Sequence, residues 1–319
     1  MAEHYSPLRY PGGKARLARF LAAILHRNGH VRSEYVEPYA GGAGIALQLL
    51  FEEYVDRVVI NDADPRMHSF WWAVTRRTRE FIELVRATPV TVDAWHQQRE
   101  IYATCDPETP LRLGFATFFL NRTTRSGIIH NGGPIGGYDQ TGNYKIDARY
   151  NSKALVRRIV RIGAHADRIE TKGEDGQDLL EDLANDSERA ERAFVYLDPP
   201  YYGKGRALYM NHFTPEQHKS LAAFLQDGPG FDWILTYDDV AAIRQLYKEF
   251  SLLSFALSYA AYERRLGSEL LIHPPSVSVT HEERIAFPFA AAKEDRTGHS
   301  CDGDSPLSDG LRTASSRGP

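Results

Sequence analysis

A short apolar run ends in a carboxylate, two prolines and two tyrosines near the middle of the chain, in AFVYLDPPYYG at residues 193–203. Its β-branched and aromatic residues predict a buried strand, and parallel strands end at the ligand crevice of a sheet, so Asp198 is expected there. Pro199 and Pro200 stiffen the turn and lack N–H groups, so the segment offers a carboxylate and carbonyl oxygens as hydrogen-bond acceptors. Beside the ring of Tyr201, these acceptors suit a planar heterocycle that carries an exocyclic amino group. The structural alternative is a proline-rich turn with an incidental aspartate.

A second candidate lies in PYAGGAG at residues 38–44, where small residues separate a predicted strand from a predicted helix. Backbone can approach a ligand closely there, and the helix amino terminus supplies unpaired N–H groups. Asp62 ends the next strand about twenty residues later, where doubly wound sheets carry a carboxylate for ribose hydroxyls. The third glycine of the dinucleotide fingerprint is absent, so an adenosine-containing cofactor without phosphates fits better. A tight structural turn would explain the glycines equally well.

These segments need a sheet to position them, and the order of apolar runs predicts one. Short runs at 57–62, 194–198 and 233–239 each end in a carboxylate, and the stretch 215–227 has helical character. Alternating strands and helices favour a parallel α/β sheet that is covered on both faces. Two later runs, near 252–260 and 268–274, predict a closing antiparallel hairpin.

The residue composition and the predicted structure of the chain change between residues 66 and 150. Two helical pieces are followed by a stretch rich in Gly, Asn, Thr and basic residues, which is typical of loops with a β-hairpin. We interpret 66–150 as an inserted domain, so that the main domain comprises 1–65 and 151–291. Residues 292–319 are polar and are predicted to form a disordered tail.

The composition limits the class of protein. The 319 residues carry a net charge of −4, but residues 66–165 hold 15 Lys/Arg against 8 Asp/Glu. This asymmetry favours an anionic partner for that segment, although ordinary solvated helix faces would give the same count. The two cysteines, Cys105 and Cys301, have no metal-ligand or redox spacing, and the histidines form no ligand cluster, so no metal is expected. No apolar run approaches membrane-spanning length, so we expect a cytoplasmic protein without membrane contact.

In chain order, five motifs resemble the Dam-like, α-group N6-adenine DNA methyltransferases. The similar segments are PLRYPGGK, VEPYAGGAG, IND, FLNRT and YLDPPY, and the last is the most specific. The resemblance covers roughly residues 5–290. It implies an α/β fold: a Rossmann-like S-adenosylmethionine-dependent methyltransferase sheet with an inserted, mostly helical DNA-recognition domain that carries a β-hairpin.

The resemblance also implies roles for individual residues. The family's catalytic tetrapeptide is matched by Asp198, Pro199, Pro200 and Tyr201. Its S-adenosylmethionine pocket is matched by Tyr10, Lys14, Glu37, Gly41, Gly42, Gly44 and Asp62, with Asp198 shared between the two sites. The start of its DNA-recognition region is matched by Asn121 and Arg122, and the basic residues Arg125, Lys145 and Arg149 that follow are predicted to face DNA.

The implied activity is site-specific transfer of a methyl group to N6 of adenine in double-stranded DNA. The base must then be flipped out of the stack, because the duplex hides that nitrogen. A cognate restriction or defence component is a further partner that the resemblance leaves open. The insert SGIIHNGGPIGGYDQTGNYKIDARYN lacks the reading residues of GATC-specific members, so a GATC target is not supported.

Three other interpretations remain open from the sequence. An enzyme of the same fold could methylate cytosine N4, RNA adenine or protein glutamine, although those relatives usually show Asn or Ser where Asp198 stands. A DNA-binding module that has lost catalysis would use the basic insert alone, but the intact Asp198 and Asp62 argue against it. A nicotinamide oxidoreductase is the most distant interpretation, since the third glycine is absent.

Overall fold

The computed structural model describes residues 5–9, 14, 17–127, 129, 132–203, 213–259 and 265–280. Two sequence-based predictions fall on other residues. Tyr10, from the predicted cofactor pocket, and the tail predicted at 292–319 both lie outside the described residues.

A seven-stranded, mostly parallel sheet forms the centre of the fold. Its strands are β1 Glu34–Glu37, β2 Arg57–Asn61, β3 Ile169–Lys172, β4 Ala193–Leu197, β5 Asp232–Asp238, β6 Ser251–Tyr259 and β7 Arg265–His273. They lie in the order β3-β2-β1-β4-β5-β7-β6. Strands β1 to β5 pair in parallel, whereas β7 runs antiparallel to both β5 and β6. The Rossmann-like, mostly parallel sheet and its closing antiparallel hairpin are thereby confirmed.

Helices cover both faces of the sheet because successive strand residues point to opposite sides. In β1, Tyr35 belongs to one buried apolar cluster and Val36 to the other. Among the described residues no helix is long and apolar enough to cross a membrane. The helices of the first face are α1 Ala18–Arg27, α2 Gly44–Phe51, α3 Pro65–Arg76, α4 Thr78–Ala87, α5 Val92–Thr104, α6 Pro110–Thr123 and α7 Ser152–Ala164. Those of the second face are α8 Gly176–Asn185, α9 Ser187–Ala190, α10 Pro215–Gln226 and α11 Ala241–Leu246.

The chain between β2 and β3 is mostly helical and packs against the first face of the sheet. Phe70 of α3 and Phe118 of α6 stack with ring centroids 6.1 Å apart, inside the apolar cluster that also holds Tyr35 of the sheet. The two parts of the chain therefore share one buried core. The domain boundaries at 66 and 150 stay a prediction.

The β-hairpin expected in this segment is not formed among the described residues of 124–150. An isolated bridge joins Thr124 and Pro134, and a 3₁₀ turn spans Ile146–Arg149. The physical reason is the side chain of Gln140, whose Nε2 donates to the carbonyls of Ile135 and Gly137 at 2.8 and 2.6 Å. Its Oε1 accepts from the N–H of Ile146 at 2.8 Å. Side-chain bonds thus satisfy backbone groups that a strand ladder would otherwise pair.

Candidate active site

Four side chains from the first six strands of the chain meet at one edge of the sheet. Glu37 ends β1, Asp62 follows β2, Asp198 follows β4, and Thr236 lies near the end of β5. These strands are parallel, so their carboxyl ends share an edge. The antiparallel β7 brings Glu269 to the same edge, opposite Asp238 of β5.

Lys14 is the hub of a buried polar network at this edge. Its Nζ donates to Asp198 Oδ1 at 2.6 Å and to Thr236 Oγ1 at 2.9 Å. The same ammonium lies 3.0 Å from Glu269 Oε2, and the Lys14 side chain is only 1% exposed. A buried ammonium is costly unless it is paired, and three acceptors supply the partners here.

The charges of this network do not cancel. Burial alone would lower the pKa of Lys14, but the carboxylates of Asp198 and Glu269 outweigh burial and raise it. Burial raises the pKa of Glu269, with Lys14 opposing that effect. Two carboxylates around one ammonium leave the site with a net negative charge, which favours a cationic ligand over an anionic one.

Asp198 uses one carboxylate oxygen to anchor itself and leaves the other available. Lys14 Nζ and Thr236 Oγ1 both bond to Oδ1, the latter at 3.1 Å. Within the described part of the chain, Oδ2 and the carbonyl oxygen of Pro199 accept no hydrogen bond, and the Asp198 side chain is 30% exposed. Pro199 is buried and Pro200 half-buried, so the turn is held by packing. The site therefore offers two open acceptors.

The residues after this turn are also fixed in place. Tyr201 is 7% exposed, its hydroxyl donates to Glu269 Oε1 at 2.6 Å, and Lys14 Nζ lies 5.3 Å from its ring centroid. Asp238 accepts from the next two backbone N–H groups, those of Tyr202 at 2.9 Å and Gly203 at 2.8 Å. A carboxylate at the end of β5 thus holds the loop that leaves β4.

The predicted cofactor turn adopts a left-handed conformation at two residues. Gly41 has φ +47° and Ala43 has φ +43°, immediately before the first residue of α2, Gly44. Gly42 is buried between them. The Gly41 carbonyl accepts from Trp71 Nε1 at 2.9 Å, and its N–H donates to Asp62 Oδ2 at 3.1 Å. The turn is therefore tied to the end of β2.

Two carboxylates line this turn, and both are harder to ionise than usual. Burial raises the pKa of Glu37 to about 8, and raises that of Asp62 to about 7 against hydrogen bonds from the Asp64 and Gly41 N–H groups. Glu37 Oε1 accepts from the N–H of Ala46 in the first turn of α2 at 3.0 Å. A helix amino terminus that already holds a carboxylate is a poor place for a phosphate. The pocket suits adenosine without phosphates.

Asn121, predicted to contact DNA, is buried and engaged within the protein. Its Oδ1 accepts from the N–H of Arg9 and its Nδ2 donates to the carbonyl of Arg9, both at 2.7 Å. The side chain thus fastens residues 5–9 to α6. A contact with DNA would require breaking these bonds, and its DNA role stays a prediction.

The basic residues predicted to face DNA occupy different settings. Arg125 and Arg149 are exposed, and Arg122 is half-buried at the end of α6. Arg125 Nε lies 3.4 Å from the carbonyl of Pro134. Lys145 is exposed, but its Nζ donates to the carbonyls of Gln140 and Gly142 at 2.7 and 3.2 Å. These bonds stabilise the loop that carries Lys145. Their roles in DNA binding stay predictions.

Three residues of the site were not identified from the sequence, namely Thr236, Asp238 and Glu269. A signal for the first two was present, because WILTYDD repeats the pattern of an apolar run that ends in a carboxylate. Glu269 stands between apolar residues in SELLIHP, where a buried strand would not carry a charge without a partner.

Comparisons with known proteins identify a matching family and two similar structures. The sequence model of the D12 class N6 adenine-specific DNA methyltransferases matches residues 10–260. A solved structure of the rRNA methyltransferase aviRa from Streptomyces viridochromogenes is similar at 16% identity, covering 84% of this chain and 88% of that chain with a TM-score of 0.36. A second structure of that protein has 14% identity, the same coverage and a TM-score of 0.33. A search of curated proteins found no significant match.

Proposed function

The chain belongs to the D12 class N6 adenine-specific DNA methyltransferase family, and from this premise we propose that it methylates N6 of an adenine flipped out of double-stranded DNA, with S-adenosylmethionine as the methyl donor. The observation that carries the proposal is the different bonding of the two carboxylate oxygens of Asp198. Oδ1 is anchored by Lys14 and Thr236, while Oδ2 and the Pro199 carbonyl remain open. Two open acceptors at one turn match the two hydrogens of an exocyclic amine.

The cofactor pocket supports S-adenosylmethionine over a phosphate-bearing nucleotide. The Glu37 side chain already accepts an N–H of the first turn of α2, and Asp62 retains lone pairs for two ribose hydroxyls beside its bonds to the backbone. The net negative charge around Lys14 suits a ligand that carries a positive charge. When bound, the sulfonium of S-adenosylmethionine supplies an electrophilic methyl group.

The adenine would be held by the turn after β4. Lys14 and Thr236 hold Oδ1 of Asp198, so Oδ2 would face the substrate, and Pro199 would contribute a carbonyl oxygen. Accepting both amino hydrogens draws the nitrogen lone pair out of conjugation with the ring and directs it outward. Once N6 carries the methyl group it must release one of its two protons, and Asp198 Oδ2 is placed to accept it.

Tyr201 would provide the surface on which the extruded base stacks. The Lys14 ammonium lies toward one face of its ring, and the hydroxyl bond to Glu269 fixes the ring's orientation. A ring that is held before the base arrives loses little conformational entropy on binding. Stacking on an aromatic ring contributes about 1–3 kcal/mol per base.

The test is direct chemical identification of the product. Purified protein is incubated with methyl-labelled S-adenosylmethionine and unmodified duplex DNA, and the DNA is then digested to nucleosides. We expect label in N6-methyladenine, and none when Asp198→Asn protein replaces the wild type. Label in N4-methylcytosine, or transfer only to RNA or to protein, would replace this proposal with another substrate for the same fold.

A further inference from the structure

Four arginines from separate parts of the chain converge away from the catalytic turn. Arg9 lies in the amino-terminal segment, Arg122 in the last turn of α6, Arg149 at the end of the 3₁₀ turn, and Arg158 on α7. They influence one another electrostatically: Arg158, Arg9 and Arg149 all act on Arg122, and Arg149 acts on Arg9. We call them the arginine cluster.

Specific contacts hold the four segments together. The side chain of Asn121 pairs with the backbone of Arg9 and so places it beside Arg122. The ring of Tyr150, the residue after Arg149, packs against Phe118 and Phe119 of α6 at centroid distances of 5.7 and 5.6 Å. These phenylalanines precede Arg122 by one helical turn, so they lie on its side of the helix.

The fourth arginine reaches the cluster from α7. Arg158 Nη1 donates to the carbonyl of Ser6 at 3.0 Å, three residues before Arg9. The cluster is therefore built by contacts of defined geometry rather than by four loose side chains on a surface.

Three arginines of the cluster carry positive charge that no ion pair among the described residues balances. Arg9, Arg122 and Arg149 form no ion pair with a carboxylate of the described residues, and the buried Nε of Arg122 has no hydrogen-bond partner there. Burial, followed by the charges of Arg158, Arg9 and Arg149, lowers the pKa of Arg122. A guanidinium still stays protonated at neutral pH, so the repulsion persists and costs stability.

Other arginines of this protein form ion pairs with carboxylates. Arg168 pairs with Glu53 at 3.0 Å, Arg189 with Glu34 at 2.7 Å and Arg244 with Asp239 at 2.6 Å. Carboxylates thus neutralise these three arginines. Their absence around Arg122 marks a place where the counter-charge comes from outside the chain.

We propose that the arginine cluster is a binding site for a single phosphate group, and that a phosphodiester of the DNA strand occupies it. Guanidinium groups bind phosphate oxygens bidentately, and several converging on one point favour an anion with several acceptor oxygens. The inference rests on the proposed function for the identity of the ligand. Lys14 follows Arg9 by five positions, so their Cα atoms lie within about 18 Å of each other. The cluster would bind the DNA backbone near the flipped nucleotide. It would fix the position of the DNA on the protein without contributing to sequence recognition.

The first experiment measures duplex affinity by fluorescence anisotropy at several salt concentrations. Arg149→Gln, an exposed position that should fold normally, and Arg122→Gln are compared with the wild type. For each lost contact we expect the log–log salt slope to flatten by about 0.9, with unchanged preference among DNA sequences. The control is Arg192→Gln, which removes the same charge from an exposed arginine paired with Glu188. Its slope should equal that of the wild type.

The second experiment locates the phosphate. Duplexes carrying one neutral methylphosphonate at successive positions are titrated with wild-type and Arg149→Gln protein. We expect one position at which wild-type affinity falls about tenfold while the variant is unaffected, because both changes remove the same contact. Equal losses in both proteins at every position would overturn the proposal while leaving the proposed function intact.

A third measurement separates the site from its ligand. At constant ionic strength, inorganic phosphate should raise the melting temperature of the wild type more than that of Arg122→Gln. If the protein bound no DNA but phosphate still stabilised it through Arg122, the proposed function would fail and the occupant would be another phosphate compound. If neither phosphate nor DNA distinguished the variants from the wild type, the cluster would not be an anion site.

Discussion

The ammonium of Lys14 lies 2.6 Å from Oδ1 of Asp198, across 184 positions of the sequence. This ion pair joins a residue that precedes the first helix to the carboxyl end of a central strand. It anchors Oδ1 of Asp198 within the protein. The behaviour of the site on mutation follows from this relationship.

Lys14→Gln should destabilise the protein and abolish methyl transfer. It would leave the carboxylates of Asp198 and Glu269 buried side by side without a counter-charge, which costs about 3–5 kcal/mol. Urea unfolding at pH 8 measures the loss. The double variant Lys14→Gln/Glu269→Gln removes one negative charge together with the positive one, so it should recover most of the stability. Equal stability of Lys14→Gln and wild type would contradict the buried ion pair.

Tyr201→Phe should lower stability even though the ring is kept. The change removes the 2.6 Å hydrogen bond to Glu269, and a bond to a charged group contributes about 1.5–3 kcal/mol. Tyr202→Phe is the matched control, because that hydroxyl bonds to no described residue and the side chain is 39% exposed. It should change stability by less than about 0.5 kcal/mol. Single-turnover rates should fall further for Tyr201→Ala than for Tyr201→Phe, since only alanine removes the stacking surface.

Asp198→Asn should fold normally and react about 10²–10³-fold more slowly at saturating cofactor. Lys14 can only donate, so the asparagine carbonyl must take the place of Oδ1 and its NH₂ group must point toward the substrate amine. Two donors would then face each other. Asp232→Asn is the control, because that carboxylate pairs with His30 at the opposite end of the sheet. A near wild-type single-turnover rate for Asp198→Asn would rule out its role as the amine acceptor.

Cofactor-free protein should lose stability as the pH rises from about 5 to 8.5, and Asp62 should cause part of this loss. The pKa of Asp62 is raised to about 7 in the folded state, so its contribution is complete at low pH and disappears as the group ionises. The melting temperature of Asp62→Asn should therefore fall less over this range. Calorimetry should also show S-adenosylmethionine binding more tightly above pH 7, where the carboxylate is ionised. Parallel pH profiles for wild type and Asp62→Asn would show that Asp62 does not titrate as described.

The strands that carry the site were largely predictable from the sequence. Apolar runs ending in a carboxylate located β2, β4 and β5, because the centre of a parallel sheet is buried on both faces. Strand β3 was not identified, since its residues IETK bury only Ile169 and give no apolar run. Of the hairpin predicted in the insert, the described residues show one antiparallel bridge, between Thr124 and Pro134, followed by a loop held by side-chain bonds of Gln140.

The sequence indicated the parts of the site but not how they are joined. Motif spacing identified Lys14 and Asp198 separately, yet only the folded chain places them in contact. Glu269 lies beyond the family match, which ends at residue 260. The arginine cluster could not be identified from the sequence either. Arg122 and Arg149 stood out as basic residues of the insert, but Arg9 and Arg158 reach them through tertiary contacts that no local pattern encodes.

The position of β7 has a consequence for biosynthesis. Lys14 is translated 255 positions before Glu269, which lies on a strand that inserts between β5 and β6. At a translation rate of roughly 5–20 residues per second, Glu269 is synthesised on the order of 10–50 s after Lys14. The nascent chain would therefore lack the complete Lys14 network until β7 has been synthesised. A ribosome-stalled chain ending at residue 250 should show no binding of S-adenosylmethionine, whereas one extended past β7 and released from the exit tunnel should acquire it.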